Sequence, residues 1–213
     1  KEKPSEELYD VDADPYNINN LAMNPAYDSV MKRLRKANHD WLLKTRDIGF
    51  LPETTLYALA QKGAPAAQVD YARLVNVIEA AELATSRVPA DFRKLSTRFD
   101  DADPAVRNWA ATGCSTMPLA SGKYIPRLKK LLNDSDGAVR TAAAEALYRI
   151  GDKSSGLKGL AAALDDPNVF VRVQALNVLQ YLGEDALPVK ERIQKLIPAS
   201  SNPGQEGMIY DVR

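Results

Sequence analysis

The side chains in this sequence that could do chemistry are few, and none stands in a catalytic pattern. The single cysteine, Cys114, and the single histidine, His39, are the candidates for a nucleophile and its base. A nucleophilic cysteine needs a base beside it, and no histidine is near Cys114 in the sequence. We therefore expect Cys114 to be a buried packing thiol and His39 to be a surface residue of a helix. The sequence predicts no catalytic residue and no cofactor-binding residue.

Two acidic clusters, residues 10–14 and residues 100–103, could suggest calcium. Neither has the ligand spacing of an EF-hand loop or its bidentate glutamate at position twelve, and helix capping explains the second cluster. One histidine is too few for a zinc site. Residues 151–159 contain two glycines but lack the Lys-Ser/Thr ending of a phosphate-binding loop. No metal-binding residue is predicted.

Composition narrows the classes of partner. The chain has 213 residues, of which 45% are hydrophobic, so it can form a packed core. Its 28 basic residues balance 28 acidic ones, which gives no electrostatic reason to expect nucleic acid. No apolar stretch reaches the roughly 20 residues of a membrane span. Because the first residues are polar and no initiator Met is present, we expect a segment of a longer protein.

The elements that must position these side chains are revealed by an internal repeat. An acidic or Asn-containing turn followed by Val-Arg occurs three times, with arginines at Arg107, Arg140 and Arg172, which are 33 and 32 residues apart. Each unit is predicted to contain a helix, a turn that caps the next helix, and a second helix; in the last two units Gly151 and Gly183 close the second helix. Upstream of the turns, apolar residues spaced by three and four lie on one helix face: Phe92, Leu95 and Phe99; Ile125, Leu128 and Leu132; Leu157, Leu160 and Leu164.

This repeat resembles the HEAT family, whose pattern includes Asp-x-x-x-x-Val-Arg. The resemblance predicts a mainly α fold, a HEAT-like α-α superhelix (solenoid) over residues 49–198, preceded by a short strand and one amphipathic helix. Helices at residues 51–62 and 69–86 would form a degenerate first unit, and residues 187–197 a last helix. The repeated arginines could bind a ligand, but we favour bridges to turn carboxylates of adjacent repeats, because every repeat must be tied to its neighbours.

Residues 1–48 form the other predicted structural unit. Residues 7–11 alternate polar and apolar side chains as a short strand does. Residues 208–212 are its one candidate partner in this sequence, and we favour a partner strand in sequence missing from this chain. Asn24 and Pro25 begin an amphipathic helix that ends before Gly49. Residues 199–213, rich in Ser, Pro and Gly, are predicted to be a tail.

Residues 7–22 resemble the C-terminal subdomain of bacterial sulfatases, within the alkaline-phosphatase-like superfamily. That family commonly shows Glu-Leu-Tyr-Asp-Leu, a few polar residues, Asp-Pro, an acidic residue and Asn-Leu. This sequence departs from the pattern at Val11 and Asn17. Residues 45–53 also look like the link through which some sulfatases enter an appended HEAT array. The run that carries the resemblance is Glu7-Leu8-Tyr9-Asp10-Val11-Asp12-Ala13-Asp14-Pro15-Tyr16-Asn17-Ile18-Asn19-Asn20-Leu21-Ala22.

The resemblance implies that this chain is the C-terminal, non-catalytic portion of a sulfatase-like sulfuric ester hydrolase. Formylglycine and calcium are then implied for a missing N-terminal catalytic domain of the same protein, which would be the partner of the HEAT module. Residues 114–118 do not match the Cys/Ser-x-Pro-x-Arg motif, so the chain alone should be inactive. A periplasmic or exported location is also implied.

The alternative is a free-standing HEAT-repeat scaffold for protein–protein interaction, in which the N-terminal strand and helix are merely a cap. The substrate, the partner and the binding face of the repeats are not predicted by either interpretation.

Overall fold

The computed structural model describes residues 4–63 and 69–196 as a series of helices. Short 3-10 segments occupy Pro25–Tyr27, Ser96–Asp100, Gly122–Tyr124 and Gly183–Val189. The predicted α-α solenoid is confirmed. The α-helices, in chain order, are α1 (Asp28–Thr45), α2 (Glu53–Gln61), α3 (Tyr71–Thr85), α4 (Pro89–Leu95), α5 (Pro104–Thr116), α6 (Pro118–Ser121), α7 (Ile125–Leu131), α8 (Gly137–Ile150), α9 (Lys153–Ala163), α10 (Val169–Leu182) and α11 (Lys190–Gln194).

Helices pair within each repeat and stack between repeats. The pairs are α4 with α5, α7 with α8, and α9 with α10, and the second helices α5, α8 and α10 pack in a row with α3 before them. The core runs along this row. All the apolar residues predicted to lie on one helix face are buried or packed against the core, so each unit buries its apolar face against its neighbours.

The turns contain the predicted caps. The side chains of Asp103, Asp136 and Asn168 each accept a hydrogen bond from the backbone N–H two residues further on, at 3.0, 2.8 and 2.9 Å. Gly151 and Gly183 end α8 and α10 with φ of +111° and +57°, a region that glycine reaches without the strain of a side chain. The turn and stop predictions are confirmed.

The N-terminal strand predicted at residues 7–11 is wrong for the described part of the chain, which contains no strand. This segment is held instead by Asn20 and Leu21: Leu8 donates its N–H to Asn20 Oδ1 at 3.0 Å and accepts from the Leu21 N–H at 2.8 Å. Two bonds to a loop do not make a ladder between strands. The candidate partner at residues 208–212 and the tail at residues 199–213 lie outside the described residues.

The predicted N-terminal helix is confirmed as α1 with the 3-10 turn before it. Asn24 caps that turn by accepting the Ala26 N–H at 3.1 Å. Glu6, in the extended segment, accepts from Arg35 Nε at 2.7 Å. The extended segment is therefore joined to α1.

The predicted pairing of α2 with α3 as a first repeat unit is wrong, because α2 packs against α10 instead. The Tyr57 ring on α2 lies 4.9 Å from the Phe170 ring on α10. Just before α2, Phe50 accepts a hydrogen bond at its carbonyl from Trp109 Nε1, at 2.8 Å, and the two rings are 6.4 Å apart. Residues 50–61 therefore contact both α5 and α10, where aromatic side chains offer them apolar contact.

The end of the array is shorter in helix than predicted. The sequence predicts one helix at residues 187–197. The chain instead passes through the 3-10 segment Gly183–Val189 before α11. Residue 197 lies outside the described residues. Pro188 lies inside the 3-10 segment and has no N–H to donate. Ala186 and Val189 are still buried against the last repeat.

Candidate functional site

The repeated arginines connect successive turns of the array. Arg107 donates from Nε and Nη2 to the two carboxylate oxygens of Asp134, both at 2.8 Å. Its Nη1 donates to the carbonyls of Asp101 and Ala102 in its own turn, at 2.8 and 3.1 Å. One guanidinium thus joins its own turn to the turn of the next repeat by a bidentate pair.

Arg140 repeats this arrangement one unit later. It donates from Nη1 to the carbonyls of Asp134 and Ser135, at 2.7 and 3.1 Å, and from Nη2 to Asp166 of the following turn. The predicted bridging between repeats is therefore confirmed for Arg107 and Arg140. We call these arginines, Arg172 and their turn carboxylates the arginine ladder.

The ladder has an upstream member that the sequence did not predict. Arg73, on α3, donates from Nε and Nη2 to the carboxylate of Asp103, at 2.6 and 3.1 Å. Asp103 also caps α5. The sequence analysis missed Arg73 because no Asp-x-x-x-x-Val-Arg pattern surrounds it. The available signal was its position near the start of α3, the helix that precedes the first clear repeat.

The Arg107–Asp134 pair of the ladder keeps both of its charges although it is partly enclosed. Burial raises the pKa of Asp134, but hydrogen bonds from Arg107 and from the Asp136 N–H outweigh that effect, and the net pKa lies below the ordinary aspartate value. The bond to Asp134 raises the pKa of Arg107. At neutral pH both groups are therefore charged, and the ladder binds turns together electrostatically.

The last arginine of the ladder is different. Arg172 Nη1 donates to the carbonyls of Asp166 and Pro167, at 2.7 and 3.1 Å, as the earlier arginines do in their own turns. Within residues 4–63 and 69–196, no carboxylate pairs with it. Arg172 instead lines an open groove at the end of the array, together with apolar residues of α10 and with Lys195 and Leu196 after α11.

The structure does not bring Cys114 and His39 together into a reactive pair. Cys114 lies on α5 and is buried in the hydrophobic core. Burial raises the pKa of its thiol to about 12, although a hydrogen bond with Ser121 acts to lower it. That confirms the packing thiol. His39 is half-buried, and its Nδ1 lies 3.0 Å from Glu82 Oε1 on α3. The prediction of a simple surface histidine is thus corrected: His39 joins α1 to the array.

The side chains of the two acidic clusters form ion pairs and accept backbone hydrogen bonds. Asp100 pairs with Lys130 at 2.8 Å and with Arg127 at 3.0 Å, while Asp10 and Asp14 accept backbone N–H groups of their own turn. Among the described residues, no three His, Cys, Asp or Glu side chains are grouped so that they could hold a metal ion. These residues do not fit a calcium site of the sulfatase kind.

Comparison with known proteins agrees with the repeat geometry. Residues 92–180 match the family model described as HEAT repeats. That stretch is similar to HEAT repeats in sequence, and its helices stack as an α-α solenoid. The match begins within α4 and ends within α10. Among residues 4–63 and 69–196, no helix is both long and apolar enough to cross a bilayer.

Short stretches of the chain are also similar to two curated sulfatases. Both are ulvan-active sulfatases of Formosa agariphila. One is 44% identical over 54 residues, which is 25% of this chain and 9% of the relative. The other is 44% identical over 48 residues, which is 22% of this chain and 10% of the relative. The chain therefore matches about a tenth of the length of each.

Proposed function

We propose that this chain is the C-terminal, non-catalytic part of a sulfatase-like sulfuric ester hydrolase, with the HEAT array as its packing or interaction module. The observation that carries the proposal is the 44% identity to ulvan-active sulfatases over 54 residues. The sulfatase-like run at residues 7–22 points the same way. Formylglycine and calcium would belong to a catalytic domain preceding this chain.

The contacts between the N-terminal unit and the array support a packing role. His39 contacts Glu82, and Arg46 after α1 donates to the Val69 carbonyl. Leu42 of α1 lies in the same buried cluster as the first repeats. A domain attached before residue 1 would therefore be positioned relative to the whole array, because α1 is fixed to it by buried contacts.

The N-terminal unit also exposes apolar side chains that a catalytic domain would cover. Met23 is 90% exposed, and Ile18 and Trp41 are exposed as well. A contiguous surface of such side chains is typical of a site that packs against another protein or domain. Burial of these residues is what the proposal requires of the complete protein.

The experiment compares this chain with its full-length parent. The proposal expects a Cys/Ser-x-Pro-x-Arg motif encoded upstream, hydrolysis of 4-nitrophenyl sulfate by the parent, and no hydrolysis by this chain alone. Replacing the Cys or Ser of that motif with Ala should abolish the activity and leave the array folded. Activity of this chain alone, or a parent without the motif, would overturn the proposal.

A second candidate is a HEAT-repeat scaffold for protein–protein interaction. The match of residues 92–180 to HEAT repeats favours it, since stacked repeats present extended surfaces for partners. An initiator Met encoded close to Lys1, with no hydrolase domain before it, is the result that decides for the scaffold.

A further inference from the structure

The arginine ladder shows what an arginine of this array binds when its pairing is complete. Arg107 and Arg140 each donate from Nη1 to two carbonyls of their own turn. An aspartate of the next repeat accepts from Nε and Nη2 of Arg107 and from Nη2 of Arg140. Arg172 makes the first set of bonds and, within the described residues, not the second. The chemistry that completes it is a carboxylate.

The following turn cannot supply that carboxylate at the usual position. Asp134 and Asp166 are 32 residues apart, and the same step from Asp166 leads to Pro198. Residues 197–204 contain no Asp or Glu. A carboxylate that pairs with Arg172 would therefore come from another part of the chain or from another molecule.

The surface around Arg172 is a groove lined by apolar and basic side chains. We call it the terminal groove, defined by the exposed or half-buried side chains of Val169, Arg172, Val173, Leu176 and Leu196. Its two aspartates are already paired, Asp166 with Arg140 and Asp165 with Arg192. The groove therefore combines apolar walls with an excess of positive charge, which favours an apolar segment that carries a carboxylate.

We propose that the terminal groove binds residues 208–212 of the same chain, with Asp211 paired to Arg172. These residues read Met-Ile-Tyr-Asp-Val, so four apolar side chains accompany one carboxylate. They offer the two features that the groove lacks, a cover for its apolar walls and a partner for its guanidinium.

The connection between groove and segment permits this contact. Leu196, the last described residue, itself lines the groove, and 15 residues from there to Asp211 span at most about 50 Å when fully extended. Residues 203–207 include Pro203, Gly204 and Gly207, which suit a reversal of the chain. Attachment to the same chain gives an effective concentration on the order of millimolar, so a weak contact is sufficient for binding.

The test is hydrogen exchange, followed by mass spectrometry, of the peptide covering residues 205–213 in the full chain. The proposal expects slowed exchange in the wild type and about tenfold faster exchange in Asp211→Asn. The matched control is Glu206→Gln, which removes the other acidic side chain of residues 197–213 and should leave exchange unchanged. Exchange at the free-peptide rate in the wild type, or equal effects of the two substitutions, would overturn the proposal.

A charge exchange separates pairing from general loss of structure. Arg172→Asp should speed exchange of residues 205–213, and combining it with Asp211→Arg should restore slow exchange. Circular dichroism checks that each variant keeps its helices; if Arg172→Asp alone unfolds, Asp211→Asn against Glu206→Gln decides. Failure of the double variant to restore protection, or protection that rises with protein concentration and so indicates a second copy, contradicts the proposal.

Discussion

Arg107 of one repeat donates two parallel hydrogen bonds, both 2.8 Å long, to the carboxylate of Asp134 in the next. The two side chains are only 14% and 7% exposed. Because both charges are largely withdrawn from water, each depends on the other for its stabilisation. This pair is therefore a structural joint between neighbouring repeats, and its side chains are less exposed than those of the Arg140–Asp166 and Arg73–Asp103 pairs.

Replacing Arg107 with Gln should lower the free energy of unfolding by about 3–5 kcal/mol, because Asp134 would remain buried without its charged partner. Urea denaturation followed by circular dichroism measures the change. The control is Lys36→Gln, which removes an exposed i,i+4 pair with Asp40 and should cost less than about 0.5 kcal/mol. Equal losses in the two variants would contradict the role assigned to Arg107.

The same pair predicts how stability depends on pH. The pKa of Asp134 is lower in the folded chain than the ordinary aspartate value of 3.8, so the unfolded chain binds the proton first as pH falls. The stabilisation is fully present above the unfolded pKa and is lost as pH falls through the folded one. The free energy of unfolding, measured by urea titration at several pH values, should fall below about pH 4. This fall should be smaller in Arg107→Gln; an unchanged acid dependence would argue against the pair as its cause.

Cys114 should react very slowly with thiol reagents in the folded protein. At pH 8 a thiol with a pKa of about 12 is ionised in about one molecule in ten thousand, and the side chain is also enclosed. Labelling with Ellman's reagent should therefore be limited by opening of the array and become rapid in denaturing urea. Fast stoichiometric labelling without denaturant would show that Cys114 is not the packing thiol described.

Gly156 should not tolerate alanine. A Cβ at this position would stand 2.6 Å from Tyr148 Cβ and 2.7 Å from the Ala144 carbonyl oxygen, so α8 and α9 would have to separate. We expect a loss of about 1–3 kcal/mol in the free energy of unfolding. Gly122→Ala is the control, because nothing lies within 4 Å of a Cβ there and φ is −52°. If both variants denature at the same urea concentration as the wild type, the close approach of α8 and α9 is not a constraint.

The sequence predictions that the structure confirms rest on local signals. The spacing of Leu160 and Leu164 set a helix face, Asp136 marked a helix start, and Gly151 marked a helix end. Each signal acts within a few residues through backbone hydrogen bonds, which is why it is visible without a structure. The predicted strand at residues 7–11 failed because a strand is defined by a partner, which alternation of side chains cannot supply.

The sequence by itself determined that residues 92–180 would be a repeating helical array. The same turn and the same apolar spacing recur in each repeat, and each repeat buries its apolar face against its neighbours. Only the tertiary structure decided which distant groups meet. Tyr57 packs on Phe170, His39 on Glu82, and Arg73 on Asp103. The physical reason is that these contacts follow from how whole helices cross, and crossing depends on the packing of many side chains at once rather than on any pattern along the chain.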